Sequence, residues 1–410
     1  MINDKPVVLV LGASLDQLFL IETAQAMGCF VVAVDMDPQA PAFKYADDRA
    51  VVSTRDIEGL ISFARTYHKK RPINAVVTMG SDIPLSVAAV CEELKLPSIS
   101  RKTALLASNK LLMKQHWKEK GIPIPWFEEL ESGEHLARVI RERGWELIVK
   151  PTDRSGARGI TKLSEGMDTD LVFQKAKDLS FEGRVIVEEF ISGEQESTES
   201  IVYKDFFITA GVSDRNYDQM DKLKGAPIEN GGTMPSVLPR DKLEAMDHLL
   251  EDAARALGIT SGVAKGDVVF NKYGQPVMIE MAARLSGGWM SSGLIPITSG
   301  VNIAETVVEI ALGIEPDLTK LEPKFQKHSA LRYFFPPPGR IVRFDGIEKT
   351  SRIKWLRGLE FYKNIGDIIG DPSSHADRAG GFILEGSSRQ DVLEKAEHIY
   401  NIVRIVTKPT

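Results

Sequence analysis

The amino-terminal part of the chain, from residue 6 to about residue 100, alternates short apolar runs with segments of helical periodicity. The apolar run "VVLVLG" precedes "SLDQLFLIETAQAMG", in which Leu18, Ile21 and Ala24 recur at helical spacing. Two further apolar runs, "CFVVAVDMDP" and "INAVVTM", are followed by helical patterns, and Ser81 or Asp82 is placed to cap the second of these helices. Strands that are apolar along their whole length are covered on both faces, so the alternation predicts a parallel sheet between helices.

We interpret residues 1–107 as a Rossmann-like domain, and dinucleotide binding is the first function to weigh for it. "VLVLGAS" precedes a helix, and Asp35 ends the second predicted strand. However, a dinucleotide-binding loop needs three glycines, for the turn, the approach of the pyrophosphate and the helix packing, and only Gly12 is present. A tight turn between a strand and a helix is therefore favoured over an NAD site.

Composition excludes several other classes of protein. A chain of 410 residues is too long for one compact core, and its formal net charge of -6 disfavours a nucleic-acid-binding surface. Cys29 and Cys91 form no CxxC motif, which excludes a disulfide scaffold and a cysteine-rich zinc site. No apolar run reaches the roughly 18 residues of a membrane span, and the first residues lack an export signal. We expect a cytoplasmic protein without nucleic-acid or membrane partners.

The middle and the end of the chain change character. Strands at antiparallel hairpin spacing, such as "ESTESIVY" and "FFITAGVSD", surround the amphipathic helix "RDKLEAMDHLLEDAARALG". The tail, from about residue 326, combines short strands and turns with a final helix. Both parts are predicted to be α+β.

Two acidic residues lie on neighbouring strands of one predicted hairpin. Asp267 and Glu280 flank the turn "NKYG" at positions that make them neighbours across the hairpin. Facing carboxylates repel each other unless a cation lies between them, and hard oxygen ligands suit Mg²⁺ that bridges nucleotide phosphates. The alternative for such a pair is that one carboxylate faces solvent.

Two lysines and a small basic loop point to an anionic ligand. Lys110 lies near a helix start, and Lys150 closes the apolar run "ELIVKP", where burial is costly unless an anion meets the ammonium group. The loop "RSGARG" follows directly and offers backbone N–H groups at close range from Ser155, Gly156 and Ala157. An ordinary hairpin turn is the alternative for this loop.

The segment "VEEFISGEQE" is a third candidate. Its strand runs into Glu188, Glu189, Phe190 and Ile191, whose backbone groups could pair with a purine edge, while Glu196 follows after a Ser-Gly turn. Taken alone, the segment favours a plain hairpin.

From about residue 105 to about residue 315, the chain resembles the ATP-grasp superfamily. The resemblance rests on the order of six features: the two lysines, the glycine-rich loop, Glu-x-x-Ile, the later glutamate, the aspartate and "IEMAAR". The resemblance implies a pre-ATP-grasp domain over residues 1–107 and an ATP-grasp domain over 108–325. The latter would comprise a nucleotide-clasping lid over about 120–190 and a central part over about 191–325. Residues 326–410 resemble the small C-terminal domain of carboxylate–amine ligases. "EMAARLSGGWMSSGLIPITSG" is similar to amino-acid and dipeptide ligases.

The resemblance further implies ATP, Mg²⁺ (or Mn²⁺), small-molecule carboxylate and amine substrates, and a possible homodimer. Lys150 and Arg284 would be catalytic, Glu196 would bind the ribose, and backbone N–H groups of the segment "SGG" would bind an acyl phosphate. The implied contacts are nucleotide binding by Lys110, Lys150, Ser155, Gly156, Ala157, Glu188, Glu189, Phe190, Ile191 and Glu196; metal binding by Asp267 and Glu280; and substrate binding by Arg284, Ser286, Gly287, Gly288 and Trp289.

One position departs from the family pattern. Ala282 stands where the superfamily usually has an asparagine that completes the metal shell. Two alternatives to an amino acid ligase stay open at this stage, and Ala282 suggests the second of them. One is a purine-biosynthesis ligase resembling phosphoribosylglycinamide synthetase, and the other is a nucleotide-binding protein without ligase activity.

Overall fold

The computed structural model describes residues 5–220, 223 and 226–409, so the outer limits of the first and last predicted domains lie outside the described residues. The amino-terminal domain contains a four-stranded sheet in the order β3-β2-β1-β4, with every pairing parallel. Its elements are β1 Val7–Leu11, α1 Leu15–Ala26, β2 Phe30–Asp35, β3 Asp48–Val51, α2 Ile57–Lys70, β4 Ile73–Val77, α3 Pro84–Leu94 and α4 Arg101–Leu106. The central strand β1 is buried along its whole length, which confirms the parallel sheet predicted from the apolar runs.

The predicted cap of α3 is wrong. The helix begins at Pro84, and its N-cap residue is Ile83, which makes no side-chain capping bond. Proline suits the first helical position because the missing N–H would have no partner within the helix. The carboxylate of Asp82 is therefore free to accept a hydrogen bond of 2.8 Å from Arg284 Nε, more than two hundred residues later in the chain.

Residues 127–189 form a second, smaller unit with its own core, and the name lid is kept for this unit because it lies within the range predicted to be the lid. Its antiparallel sheet has the order β5-β8-β6-β7, and two helices cover one face through Leu136, Val139, Val172 and Phe173. The elements are β5 Phe127–Leu130, α6 Gly133–Arg143, β6 Leu147–Pro151, β7 Thr161–Lys162, α7 Thr169–Leu179 and β8 Val185–Glu189. The preceding helix, α5 Lys110–Glu119, packs instead in the core of the central part, through Met113 and Trp117.

The central part and the tail share one sheet. Eight strands run in the order β13-β12-β9-β10-β11-β14-β18-β16, so the sheet continues across the boundary predicted near residue 326. The elements of the central part are β9 Gln195–Tyr203, β10 Phe206–Arg215, β11 Gly232–Met234, α8 Arg240–Leu257, β12 Ser261–Phe270, β13 Pro276–Ala282, α9 Ile295–Ser299 and α10 Ile303–Ala311. The tail contains β14 His328–Phe334, β15 Gly339–Asp345, α11 Ile347–Thr350, β16 Leu356–Phe361, β17 Ile368–Ile369, β18 Gly380–Gly386, α12 Arg389–Ile402 and β19 Arg404–Lys408.

The amino-terminal domain is joined to this large sheet through the segment after β13. Met79 and Leu285 form a parallel bridge, and Gly80 N–H donates to Leu285 O at 3.0 Å. The loop that follows β4 therefore lies directly beside the chain that leaves β13.

Candidate active site

A cavity of about 810 Å³ lies where the amino-terminal domain, the lid, the central sheet and the tail meet. With the exception of Glu196, every residue predicted to bind nucleotide, metal or substrate lines it. These residues are Lys110, Lys150, Ser155, Gly156, Ala157, Glu188, Glu189, Phe190, Ile191, Asp267, Glu280, Arg284, Ser286, Gly287, Gly288 and Trp289.

Glu196 is the exception, and the structure corrects its predicted role. Side chains alternate between the two faces of a strand, and on β9 it is Gln195 and Ser197 that line the cavity. Glu196 is 2% exposed, and burial together with Asp214 raises its pKa to about 9. Because its side chain lies on the face of β9 that is turned away from the cavity, Glu196 does not reach a ribose bound there.

The two predicted metal ligands face each other. Asp267 and Glu280 are directly opposed in the register of β12 and β13, as the spacing around the turn predicted. Asp267 accepts hydrogen bonds from Arg215 Nη1 at 2.8 Å and from Ser197 Oγ at 3.1 Å, and it also pairs with Lys265. Burial alone would raise the pKa of Asp267, but Arg215 and Lys265 outweigh it and hold the pKa well below its usual range.

Buried lysines form ion pairs with Glu280, the second predicted metal ligand, and with Glu188. Lys110 Nζ lies 3.1 Å from Glu280 Oε1, and it donates to Arg154 O at 2.7 Å. Lys150 Nζ lies 2.8 Å from Glu188 Oε2, which is also 3.3 Å from Lys114 Nζ.

Lys114 is a site-associated residue that the sequence analysis missed. It is fully buried, and burial lowers its pKa to about 8 although Glu188 opposes the shift. It lies one helical turn after Lys110 on α5, so the i, i+4 spacing was a signal that could have identified it.

The segment predicted to hold adenine, Glu188 to Ile191, is partly engaged with the protein. The carboxylate of Glu188 points at the two lysines, while Glu189 N–H donates to Trp126 O and Phe190 N–H to Glu146 O, each at 2.9 Å. A purine edge would consequently have to use other backbone groups of this segment.

The glycine-rich loop adopts a backbone that favours glycine. Gly156, Ala157 and Gly159 have φ values of 65, 59 and 74°. Among the residues described, Ser155, Gly156 and Ala157 donate their N–H groups to no backbone or side-chain acceptor. Gly156 O accepts a hydrogen bond of 3.0 Å from His375 N–H of the tail, so the loop closes one side of the cavity.

Arg284 and the "SGG" segment are held by carboxylates from other elements. Arg284 pairs with Asp82, whose pKa is lowered to about 2 because Arg284 outweighs the effect of burial. Ser286 N–H donates to Glu199 Oε1 and Gly288 N–H to Asp16 Oδ1, both at 3.0 Å. Two of the N–H groups predicted to bind an acyl phosphate therefore already have acceptors in the protein.

Comparison with known proteins identifies the family. Residues 107–288 match the ATP-grasp domain, and residues 332–408 match L-amino acid ligase C-terminal domain 2. The chain belongs to the ATP-grasp carboxylate–amine ligases.

None of the helices described here is sufficiently long and apolar to cross a membrane.

One curated relative of this ATP-grasp chain is an L-arginine-specific L-amino acid ligase from Bacillus subtilis, 26% identical over 278 residues. The alignment covers 67% of this chain and 65% of that relative. The structure of L-amino acid ligase from Bacillus licheniformis has a TM-score of 0.84 at 17% identity, covering 98% and 99% of the two chains. Phosphoribosylglycinamide synthetase from Anaerococcus prevotii has a TM-score of 0.73 at 20% identity, covering 99% and 100%. These two structural matches show the shared ATP-grasp fold.

The tail of the ATP-grasp chain adds residues that the sequence did not point to. Arg378, His375 and Tyr333 line the cavity, and Arg378 Nη2 donates to the carbonyl oxygen of Glu229 at 2.7 Å. Glu229 in turn accepts from Arg215 Nε at 2.6 Å. No local motif marks these residues, because each reaches the cavity only through the pairing of β10, β11, β14 and β18.

Proposed function

We propose that the protein phosphorylates a carboxylate with ATP and joins the resulting acyl phosphate to an amine, with amino acids as substrates. The observation that carries this proposal is the facing pair Asp267 and Glu280, which shares one cavity with Lys110, Lys150 and Arg284. Cations and metal-binding carboxylates in this arrangement suit a triphosphate, whose transfer needs positioning and charge neutralisation rather than a protein nucleophile.

The residues present fit a magnesium ion. Mg²⁺ is commonly bound by one or two carboxylates together with substrate phosphates and water, and Asp267 and Glu280 would be the protein ligands. When bound, the ion supplies positive charge that stabilises the β- and γ-phosphates. Ala282 lines the cavity and offers no ligand, so water or phosphate oxygen would complete the shell. Lys110, which pairs with Glu280 in this structure, would turn to the phosphates.

The proposed reaction has two steps, and the residues of this chain position both. A carboxylate oxygen of the first substrate attacks the γ-phosphorus, which gives an acyl phosphate and ADP. The amine nitrogen then attacks the acyl carbon, the C–O bond to phosphate breaks, and the amine loses a proton. Arg284, fixed by Asp82, would orient the carboxylate and stabilise the transferred phosphoryl group. The contact between Gly156 and His375 limits the access of water to the acyl phosphate.

Amino acids are favoured over purine-pathway substrates for two reasons. The tail matches L-amino acid ligase C-terminal domain 2 over residues 332–408. In addition, the carboxylate of Asp16 lies in the first turn of α1 and accepts from Gly288 N–H, which places negative charge on this wall of the cavity. A doubly charged ribose phosphate bound beside Asp16 would be repelled more strongly than a singly charged amino acid carboxylate.

The decisive experiment measures ADP release with a panel of amino acids, singly and in pairs, together with mass spectrometry of the products. We expect ADP and a dipeptide from at least one pair, and Asp267→Asn should lower the rate roughly 100-fold or more. Asp252→Asn, an exposed carboxylate on α8, is the matched control and should leave the rate unchanged. ATP binding without ADP release from any acid would support a nucleotide-binding protein instead, and ADP release only with a ribosylamine would support the purine ligase.

A further inference from the structure

Arg378 brings a buried guanidinium group into the cavity from the tail. It directly follows the short 3-10 turn His375–Asp377, and the residue is 7% exposed. Its guanidinium lies 3.7 Å from the centre of the Tyr333 ring. Its Nη2 donates to Glu229 O at 2.7 Å and to Glu229 Oε1 at 3.3 Å. The side chain is thus held in place by two neighbours while it lines the cavity.

Part of this guanidinium group lacks a partner. In the part of the chain that the structure describes, Nε of Arg378 is buried and has no acceptor. A buried donor without an acceptor costs on the order of 1–3 kcal/mol, more when it is charged. An anionic ligand in the cavity would supply an acceptor through a charge-assisted hydrogen bond, which is stronger than one between neutral groups.

The charges around Arg378 also favour an anion. In the ion-pair cluster that contains Arg378, three cations, Arg215, Lys265 and Arg378, meet two carboxylates, those of Glu229 and Asp267, so the cluster has one positive charge in excess.

His375, a further titratable group at this wall, adds no charge at neutral pH. Burial, reinforced by Arg378, lowers the pKa of His375 to about 3. The excess positive charge near Arg378 is therefore not diminished or increased by this imidazole.

Arg378 and Arg284 lie on different walls of the cavity. Arg284 is bound to Asp82 of the amino-terminal domain, whereas Arg378 lies on the wall formed by the tail. Tyr333, against which Arg378 stacks, donates its hydroxyl to Gly288 O at 3.3 Å. Arg378 is therefore linked to the substrate-facing "SGG" segment through a single side chain.

We propose that Arg378 binds the carboxylate that the reaction leaves intact, namely that of the amino acid that acts as the amine. This inference rests on the proposed function, since only an amino acid ligase has a second carboxylate to recognise. Arg284 would serve the carboxylate that is phosphorylated, and Arg378 the one that is not. The two arginines would thus assign the two amino acids to their roles.

The test compares an amino acid with its carboxamide as the amine substrate. L-Alanine and L-alaninamide are supplied in turn, while the carboxylate-donating amino acid found in the panel is held at saturation. The amide cannot donate a carboxylate, so its role is unambiguous. We expect Arg378→Gln to raise the KM for alanine roughly 10- to 100-fold, with the KM for alaninamide and for ATP unchanged. Arg357→Gln, in the same domain and half exposed, is the matched control and should change neither KM.

Three outcomes separate the explanations. An equal rise of KM for alanine and alaninamide would assign Arg378 a purely structural role, as a neighbour of Tyr333, and would overturn the proposal. An unchanged KM for alanine would overturn it as well. If Arg378→Gln does not fold, as judged by circular dichroism, Arg378→Lys keeps the charge and should raise the KM for alanine alone, by several-fold. Absence of ADP release by the wild-type protein with every amino acid would refute the proposed function rather than the role of Arg378.

Discussion

Glu188 lies between two buried ammonium groups, and replacing it by glutamine should destabilise the protein strongly. Its Oε2 is 2.8 Å from Lys150 Nζ and 3.3 Å from Lys114 Nζ, and the three residues are 1%, 6% and 0% exposed. Removing one partner of a buried ion pair costs about 3–5 kcal/mol because the other charge stays buried without compensation. We expect a loss of that size in the free energy of unfolding at pH 7 for Glu188→Gln.

Lys114 determines how the cost is divided. Its pKa is already lowered to about 8, so it can lose its proton at pH 7 for about 1.4 kcal/mol, the value of one pKa unit. Most of the cost of Glu188→Gln therefore falls on Lys150, which lines the cavity. Since nucleotide phosphates would supply negative charge to Lys150, MgATP should restore part of the lost stability.

Urea unfolding, followed by circular dichroism with and without MgATP, measures both effects. The matched control is Glu93→Gln, which removes an exposed ion pair with Arg65 and should cost less than about 1 kcal/mol. A Glu188→Gln variant within about 1 kcal/mol of the wild type would refute the view that this carboxylate neutralises the two lysines. Equal destabilisation with and without MgATP would refute the role of Lys150 in binding phosphate.

Two further predictions concern the junction between the domains. Arg284 outweighs burial and holds the pKa of Asp82 at about 2, so this carboxylate contributes about 2 kcal/mol of stability above about pH 4, which is lost as the pH falls towards 2. Asp82→Asn should remove that part of the acid dependence in urea unfolding at pH 6 and pH 3, and an unchanged dependence would contradict the assignment. A Cβ on Gly287 would lie 2.8 Å from the Cα of Gly80, so Gly287→Ala should force backbone movement, cost about 1–3 kcal/mol and lower ADP release at least tenfold. Gly370→Ala, where a Cβ would meet open space, is the control, and equal effects of the two substitutions would contradict a tight junction.

The features that could be predicted from the sequence are those set by local order along the chain. The buried strand β1 was recognisable because its apolar run is continuous, as a strand covered on both faces requires. Asp267 and Glu280 were predicted to be neighbours because a short turn fixes the register of the hairpin between them. The lysines and the glycine-rich loop were recognisable by their residue types and their order.

The predictions were wrong where the orientation of a side chain depended on the exact strand register, or where a residue distant in the chain supplied its partner. Glu196 was assigned to the ribose, but the pairing of β9 turns Gln195 and Ser197 to the cavity, and a shift of one residue reverses every side chain of a strand. Ser81 or Asp82 was expected to cap α3, yet Arg284 provides Asp82 with a charged partner that a helix end cannot match. The N–H groups of Ser286 and Gly288 were expected to be available, but Glu199 and Asp16 accept them.

The sequence by itself determined the parallel amino-terminal sheet and the hairpin with its two carboxylates, because short-range periodicity and short turns specify them. Only the tertiary structure decided which carboxylates already have partners within the protein and which face of β9 lines the cavity. It also decided that Arg378 reaches the cavity from the tail. The physical reason is that these contacts join residues far apart in the chain, through the order of strands in the eight-stranded sheet. No spacing in the sequence encodes that order, whereas the packing of the sheet fixes it.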